Sequence, residues 1–244
     1  MQVNEPLGGP PSGPLNLAES LKAETKHLHT ALERGPLMHS LLCGQMPRTP
    51  YCALLRNLHA VYDALEPALR RHATHAAVAA VYSPALFRSQ SLADDLTELH
   101  GAGWQQEIAL APAGSRYVLH LQELADARPA LLVAHAYVRY LGDLSGGQML
   151  RRIVAGALAL ADGRGTRFYD FGAPPEVTAH VQAFRAGLAQ LGHDAEQAAA
   201  IVAEAVLAFR LHQALFDELA GAPVTGRAGR CLPQPGELKV RTRA

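Results

Sequence analysis

The stretch with the strongest chemical signature in this sequence is HAYVRYLGDLSGGQMLRRI, residues 135–153. On a helix, its polar and glycine positions recur every three or four residues and are expected to share one face. The positions on that face are His135, Arg139, Gly142, Asp143, Gly146 and Leu150. The middle of the face has no side chain except one carboxylate, and another glycine, Gly147, follows directly. A glycine inside a helix costs roughly 0.5–1 kcal/mol relative to alanine, so this cluster needs a compensating reason.

Two explanations of the glycine cluster stay open at the level of sequence. One is a close helix–helix crossing or a kink, which is the commoner reason for such a cluster. The other is a flat ligand that lies against bare backbone, with Asp143 beside it. A nucleotide is excluded as that ligand, although LSGGQ resembles the signature loop of ABC-type ATPases. Such an ATPase needs a GxxxxGK[ST] loop, and none of Lys22, Lys26 and Lys239 follows a glycine.

A flat ligand that carries a metal needs an axial partner, and histidine is the commonest neutral one. The chain has 12 histidines. His27 and His29 cannot both bind one metal, because residues two apart on a helix point about 200° apart. His29 has Glu33 one turn later, where a carboxylate could orient the second ring nitrogen. His59 has similar apolar flanks, and spacing does not decide between it and His29.

Helices must position these residues, because nearly every segment has helical periodicity and no alternating strand pattern is visible. The sequence therefore predicts a single all-α domain over residues 17–220, with poorly ordered tails at 1–16 and 221–244. Asn16 and Glu19 resemble a capping box that opens the first helix. The predicted helices span residues 17–33, 50–73, 91–100, 114–127, 129–160, 175–191 and 194–220. Pro67 is expected to kink or end the second of them.

Composition limits the class of function and the compartment. The chain has 22 basic and 22 acidic residues, so no overall charge favours nucleic acid or an anionic membrane. Neither a secretion signal nor a membrane-spanning run is visible. The three cysteines are odd in number and lack paired spacing, which predicts neither a disulfide framework nor a structural metal site. These patterns are typical of a soluble cytoplasmic protein.

Four segments resemble the heme oxygenase family, in its bacterial soluble type. LKAETKHLHTALE (21–33) resembles the family's proximal helix, and YCALLRNLHAVYDALE (51–66) resembles its second long helix. AHAYVRYLGDLSGGQMLRRI (134–153) resembles the distal-helix signature, and AFRLHQALFDEL (208–219) the last core helix. The resemblance covers about residues 17–220. It implies an all-α fold that holds heme between a proximal helix and a kinked distal helix.

The resemblance also implies roles for individual residues. It makes His29 the axial ligand of the heme iron, with Glu33 as the carboxylate beside it. Gly142 and Gly146 match the distal glycines that approach the heme, and Asp143 matches the aspartate that holds ordered water beside bound dioxygen. Residues that match supports of the distal network are Tyr62, Arg139 and Tyr140. Residues that match contacts of the heme propionates are Lys22, Tyr137 and Arg185. Met38 and Phe209 match positions in the pocket wall.

Three positions depart from the family pattern. Val181 stands where a lysine is frequent, one turn before Arg185, and Val138 replaces a frequent threonine. His212 stands where an amide is common in the distal network. These departures leave open which carbon of the ring is attacked.

The activity that the resemblance implies is cleavage of heme by O2 and supplied electrons to biliverdin, carbon monoxide and ferrous iron. Heme would then be both cofactor and substrate. The chain has no flavin or nicotinamide fingerprint and no cysteine set for an iron–sulfur cluster, so a ferredoxin or a flavoprotein reductase is the expected electron donor. A biliverdin acceptor is a further expected partner. Lys22, Lys26, Arg151 and Arg152 are predicted to form a cationic patch for an acidic donor.

Two alternatives remain beside this interpretation. A non-catalytic heme carrier or sensor on the same helices would keep His29 but would not need Asp143 beside glycines. A protein of the same fold could also bind another flat, nitrogen-containing ligand without iron.

Overall fold

The computed structural model describes residues 16–161 and 163–221, and these residues form helices without any β-strand. The predicted tails, apart from Asn16 and Gly221, lie outside the described residues. The α-helices are α1 Leu17–Arg34, α2 Pro36–Leu42, α3 Arg48–Arg71, α4 Ala76–Ala79, α5 Ser89–Leu99, α6 Trp104–Glu107, α7 Pro112–Ala127, α8 Leu132–Ala136, α9 Gly142–Ala157, α10 Pro174–Gln190 and α11 Ala195–Gly221. Short 3₁₀ turns span Pro84–Leu86, Pro129–Leu131, Arg167–Tyr169 and Leu191–His193.

The all-α prediction is confirmed, and the start of α1 shows why the sequence could give it. The side chain of Asn16 accepts a hydrogen bond from the backbone N–H of Glu19 at 3.3 Å, as the capping pattern predicts. Pro67 does not end α3, which continues to Arg71. Pro67 lies on the exposed side of the helix, where water can satisfy the carbonyl that loses its partner. The buried neighbours Leu65 and Leu69 hold the helix in place on the other side.

Three short helices, α2, α4 and α6, are absent from the sequence-based prediction. They contain seven, four and four residues, so none is long enough to show a helical repeat of apolar positions. Their positions depend on the long helices around them, since short isolated helices are unstable in water.

The core is arranged around α11, which packs against α1, α2, α7 and α8, while α3 packs against α5 and α7. Ile201, Ala205 and Ala208 of α11 are fully buried. By length and composition α11 could also cross a membrane, and 44% of its most apolar window is buried inside the protein. A core helix passes the same test, and the contacts of α11 are those of a core helix.

The helix predicted over 129–160 is interrupted. A 3₁₀ turn at Pro129–Leu131 precedes α8, and a π-helical turn at Tyr137–Leu141 separates α8 from α9. A π turn has i→i+5 hydrogen bonds and bends or widens a helix at functional positions. The regular spacing assumed from sequence therefore breaks between His135 and Gly142.

The cysteines differ from the expectation based on their spacing. Cys52 is a buried free thiol, whereas Cys43 is disulfide-bonded. The sequence predicted no disulfide framework, and Cys43 is an exception to that prediction.

Candidate active site

A cleft of about 540 Å³ lies between α1 and the helix that contains the π turn. This volume lies in the range of small-molecule binding sites. Each wall is a helix face. From α1 come Lys22, Thr25, Lys26 and His29, and from the opposite helix come Tyr137, Val138, Leu141, Gly142 and Ser145. Arg185 of α10 and Phe209 of α11 complete the lining.

His29 presents its imidazole at the wall of the cleft. Its side chain is 52% exposed, and its Nδ1 lies 3.6 Å from a carboxylate oxygen of Glu33. The Phe209 ring meets the imidazole edge-on, with centroids 6.1 Å apart. Because Glu33 faces Nδ1, the nitrogen left for a ligand is Nε2.

The structure separates His29 from the competing candidate, His59. His59 lies on α3 and packs edge-on against Trp104, with ring centroids 4.9 Å apart. Burial lowers the pKa of His59. It does not line the cleft, so His29 is the histidine placed to bind a ligand there.

The glycines serve two different purposes. A Cβ at Gly142 or Gly146 would meet no atom within 4 Å, so these two glycines do not support close packing. A Cβ at Gly147 would lie 3.4 Å from the backbone oxygen of Tyr169, the short end of ordinary van der Waals contact. Gly147 thus faces the backbone of Tyr169, whereas Gly142 presents bare backbone to the cleft that it lines.

Behind the cleft wall, Asp143 is held in a buried network, which we call the distal network: Tyr62, Arg139, Asp143 and His212. The hydroxyl of Tyr62 donates to one carboxylate oxygen of Asp143. Arg139 Nη2 donates to the other at 2.8 Å, and Arg139 Nε donates to the Tyr62 oxygen at 3.2 Å. Both oxygens of Asp143 are thus fixed, which sets the direction of its carboxylate.

His212 accepts the remaining hydrogen bond of this arginine. Arg139 Nη1 lies 3.0 Å from His212 Nε2, and His212 Nδ1 lies 3.1 Å from the carbonyl oxygen of Ala208. Since a carbonyl only accepts, Nδ1 carries the proton and Nε2 is the acceptor. Burial lowers the pKa of His212 well below its ordinary value, and Arg139 lowers it further. The imidazole is therefore neutral and performs the acceptor role of an amide.

Burial also changes the protonation of the other members of the distal network. It raises the pKa of Asp143, and Arg139 offsets part of this rise. It raises the pKa of Tyr62 well above its ordinary value, so this hydroxyl stays protonated and acts as a donor. Both carboxylate oxygens of Asp143 accept hydrogen bonds, one from the phenol of Tyr62 and the other from the guanidinium of Arg139.

The other predicted residues occupy several places. Tyr137 lines the cleft, and its hydroxyl lies 3.5 Å from Thr25 Oγ1, which joins the two walls. Tyr140 packs against Tyr62, with ring centroids 5.9 Å apart, and its buried hydroxyl has no hydrogen-bond partner among the described residues. Met38 does not line the cleft; it lines a small cavity beside Phe216 of α11.

One group of polar residues was not identified from the sequence. His135, predicted to share the face of Gly142, is fully buried and faces α7 and α11 instead, because the π turn shifts the helical register. Tyr117 OH lies 2.9 Å from His135 Nδ1. His135 Nε2 and His120 Nε2 lie 2.9 and 2.6 Å from the same oxygen of Glu204. These contacts join three separate helices, so no local spacing could reveal them.

The fold and the cleft define the class of protein: an all-α domain with a ligand cleft between a histidine-bearing first helix and an interrupted glycine-rich helix. The sequence model described as "Heme oxygenase" matches residues 15–218. The chain belongs to the heme oxygenase family.

Individual relatives agree with this assignment. Heme oxygenase 1 of Nostoc sp. is 39% identical over 206 residues, which cover 84% of this chain and 87% of the relative. The crystal structure of heme oxygenase-2 from Synechocystis sp. PCC 6803 in complex with heme and NO has a TM-score of 0.81 at 40% identity, covering 84% of this chain and 85% of that one. The structure of heme oxygenase from Leptospira interrogans has a TM-score of 0.80 at 32% identity, covering 84% of this chain and 100% of that one.

Proposed function

We propose that this protein cleaves heme with O2 and supplied electrons, releasing biliverdin, carbon monoxide and ferrous iron. One observation carries the proposal. The cleft has a histidine on one wall and the bare backbone of Gly142 on the other, with the hydrogen-bonded carboxylate of Asp143 behind that backbone. We assign the activity to residues 17–220.

The residues of the cleft fit heme by their chemistry. His29 offers Nε2 for the iron, and no side chain at Gly142 obstructs the space across from it. Lys22, Lys26 and Arg185 line the cleft and suit the anionic propionates. When bound, heme supplies the iron that binds dioxygen and the porphyrin that is cleaved.

The residues on either side of the cleft have separate tasks. His29 offers an imidazole ligand, and the Glu33 carboxylate lies 3.6 Å from its Nδ1, which favours Nε2 as the ligand atom. Arg139 and Tyr62 orient the carboxylate of Asp143. This carboxylate accepts hydrogen bonds from water near the bare backbone of Gly142, and protons pass through that water. Gly146 and Tyr140 support this side, the first by leaving space beside the helix and the second by packing on Tyr62.

Electrons must come from a partner, and we propose an acidic ferredoxin or flavoprotein reductase. Lys22 and Lys26 stand at the cleft, and Arg152 is exposed on α9. Arg151 is paired with Asp170 at 3.1 Å, so it contributes less free positive charge than the sequence suggested. Turnover of an Arg152→Glu variant should slow with a protein donor and stay unchanged with ascorbate; equal slowing with both donors would refute docking at this position.

The non-catalytic carrier remains the second candidate function, and the distal network argues against it. A carrier needs an axial ligand but gains nothing from a buried, fully hydrogen-bonded aspartate, since burying charged groups is costly.

We place the protein in the cytoplasm, and cell fractionation would test this localisation.

Hemin titration of three forms of the protein tests the proposed function. The wild type and His27→Ala should both show a Soret shift with one hemin and form biliverdin under air with ascorbate. His29→Ala should lose turnover by at least about 100-fold, a barrier change of about 2.7 kcal/mol, and imidazole should restore part of it. His27 is the matched control, because it lies on the same helix and points away from the cleft wall.

Two outcomes of this experiment would end the proposal. A wild-type protein without a Soret shift does not bind heme. A Soret band that stays unchanged under reductant and air identifies a carrier.

A further inference from the structure

A second convergence of ligand-type side chains lies outside the cleft: His120 of α7, His135 of α8 and Glu204 of α11, which we call the His–Glu–His cluster. Each residue offers one ligand atom, and the three atoms lie within 4.8 Å of one another. Both histidines direct Nε2 at the same carboxylate oxygen, at 2.6 and 2.9 Å.

The cluster is built into the fold rather than placed on a mobile surface. His135 is fully buried, the Glu204 side chain is 9% exposed, and the His120 side chain is 25% exposed. The three ligands come from helices that pack on one another in the core. His120 therefore gives access from solvent to an otherwise closed site.

The ring of His135 is held by a further hydrogen bond. Tyr117 OH lies 2.9 Å from His135 Nδ1 and leaves Nε2 directed at the cluster. Metal-binding histidines generally have such a partner on the other ring nitrogen, which fixes the ring and the tautomer. Tyr117 is itself fully buried, so this support is rigid.

The charge of Glu204 is the feature that calls for a ligand. Within the described residues, its ion-pair partners are the two histidines alone, and no arginine or lysine lies within 4.0 Å of its carboxylate. A dication would supply the permanent positive charge that this carboxylate lacks.

We propose that the His–Glu–His cluster binds one divalent transition-metal ion of the zinc class, through His120 Nε2, His135 Nε2 and a Glu204 carboxylate oxygen. Two imidazoles and one carboxylate suit zinc and its neighbours, with water in the fourth position. This site is separate from heme and from the proposed heme cleavage.

The geometry needs only a small adjustment. Bonds of about 2.0–2.2 Å in a tetrahedral site place ligand atoms roughly 3.3 Å apart. The two nitrogen–oxygen distances of 2.6 and 2.9 Å must widen by about 0.4–0.7 Å, which a rotation of the Glu204 side chain can supply. On binding, each neutral imidazole carries its proton on Nδ1 instead of Nε2, and at His135 the Tyr117 oxygen can accept that proton. Because protons compete with the metal for Nε2, affinity should fall at low pH.

Zinc titration of the heme-free full chain tests the proposal by calorimetry and thermal unfolding. The ion should bind with a stoichiometry of one and raise the midpoint of thermal unfolding, because it binds the folded state. His120→Gln is the critical variant, since His120 is the most exposed ligand and its loss should least disturb folding. His180→Gln on α10 is the matched control, with the same chemical change outside the cluster.

The expected result is a stabilisation by zinc that His180→Gln retains and His120→Gln loses, with at least tenfold weaker binding in the latter. The titration is repeated in His29→Ala, because His29 and Glu33 form another histidine–carboxylate pair. If His29→Ala removes the zinc effect, or if His120→Gln keeps it, the ion binds elsewhere and the proposal is wrong.

A spectroscopic measurement makes the test independent of the folding of the variant. Cobalt added to the wild type should give the visible absorption of a four-coordinate site, and zinc should displace it. A wild-type protein that binds neither ion overturns the proposal, and the cluster is then a purely hydrogen-bonded one.

Discussion

The two sides of the cleft are constructed differently. On the α1 side, His29 and Glu33 are each about half exposed, at 52% and 54%, and are joined by one contact of 3.6 Å. On the opposite side, Arg139 and Asp143 are 10% and 11% exposed and belong to a network that uses three nitrogens of one guanidinium. One side presents a single atom for binding, and the other fixes the direction of a charged group.

This difference indicates what fixes the side-chain positions on each side of the cleft. A buried charge must be fully hydrogen-bonded, so the distal network is fixed by its own energetic requirements before any ligand binds. An exposed histidine has no such requirement and gains its fixed position from the ligand itself. Substitutions should therefore affect folding on the distal side and mainly ligand binding on the α1 side.

Arg139→Met should give the largest effect on stability. It leaves Asp143 buried without its cation and His212 without its donor, and breaking a buried pair in this way costs about 3–5 kcal/mol. Urea unfolding monitored by circular dichroism measures the change. A loss below about 1 kcal/mol would contradict the difference between the two sides.

Asp143→Asn should reduce biliverdin formation by roughly 100-fold, the lower range for removing a positioned proton-transfer group. Hemin binding, followed by the Soret band, should stay within about threefold of the wild type, because His29 is untouched. Undiminished biliverdin formation would remove Asp143 from the chemistry.

The same variant isolates the pH dependence of this carboxyl group. Burial raises the pKa of Asp143 in the folded state, so the native protein binds this proton more tightly than the unfolded chain does. Its contribution to stability is present below the unfolded pKa and is lost as the pH rises through the folded pKa. The unfolding free energy of the wild type minus that of Asp143→Asn should therefore increase as the pH falls through the folded pKa, while turnover falls.

His212→Leu should cost about 1–3 kcal/mol, because it leaves an Arg139 N–H buried without an acceptor. His212→Asn is the control, since an amide can restore an acceptor near the same place, and it should recover most of the stability. If both variants unfold at the same denaturant concentration, the acceptor role of His212 is wrong.

Glu33→Gln should give the smallest effect, below about 1 kcal/mol on stability, because both partners of the contact are exposed. Heme affinity should weaken severalfold as the orientation of the imidazole loosens. Parallel hemin titration and urea unfolding measure both quantities. A stability loss as large as that of Arg139→Met would show that the two sides are alike.

The sequence predicts well what depends on local spacing. Asn16 and Glu19 mark the start of α1, and Gly142 with Asp143 marks an unusual helix face, because caps and glycine clusters are readable within a few residues. The family resemblance then favoured His29 over His59. In the structure, His29 lines the cleft and His59 packs on Trp104.

The features that the sequence did not predict depend on contacts between segments that are distant in the chain. Glu204 is 69 residues from His135 and 84 from His120 in the sequence, so the residues around each of them do not predict their contact. Gly147 packs on Tyr169 rather than facing the cleft like Gly142, and only the neighbouring element distinguishes them. Met38 is a further case, because α2 is too short for its orientation to be inferred from periodicity.

The π turn at Tyr137–Leu141 changes the direction in which side chains point between α8 and α9. Each added residue rotates everything that follows by about 100° around the helix axis. His135, before the turn, can thus face the core while Gly142, after it, borders the cleft. Deleting a single residue here would turn Gly142 and Asp143 together away from their present surroundings, even though every side chain named above would still be in the chain.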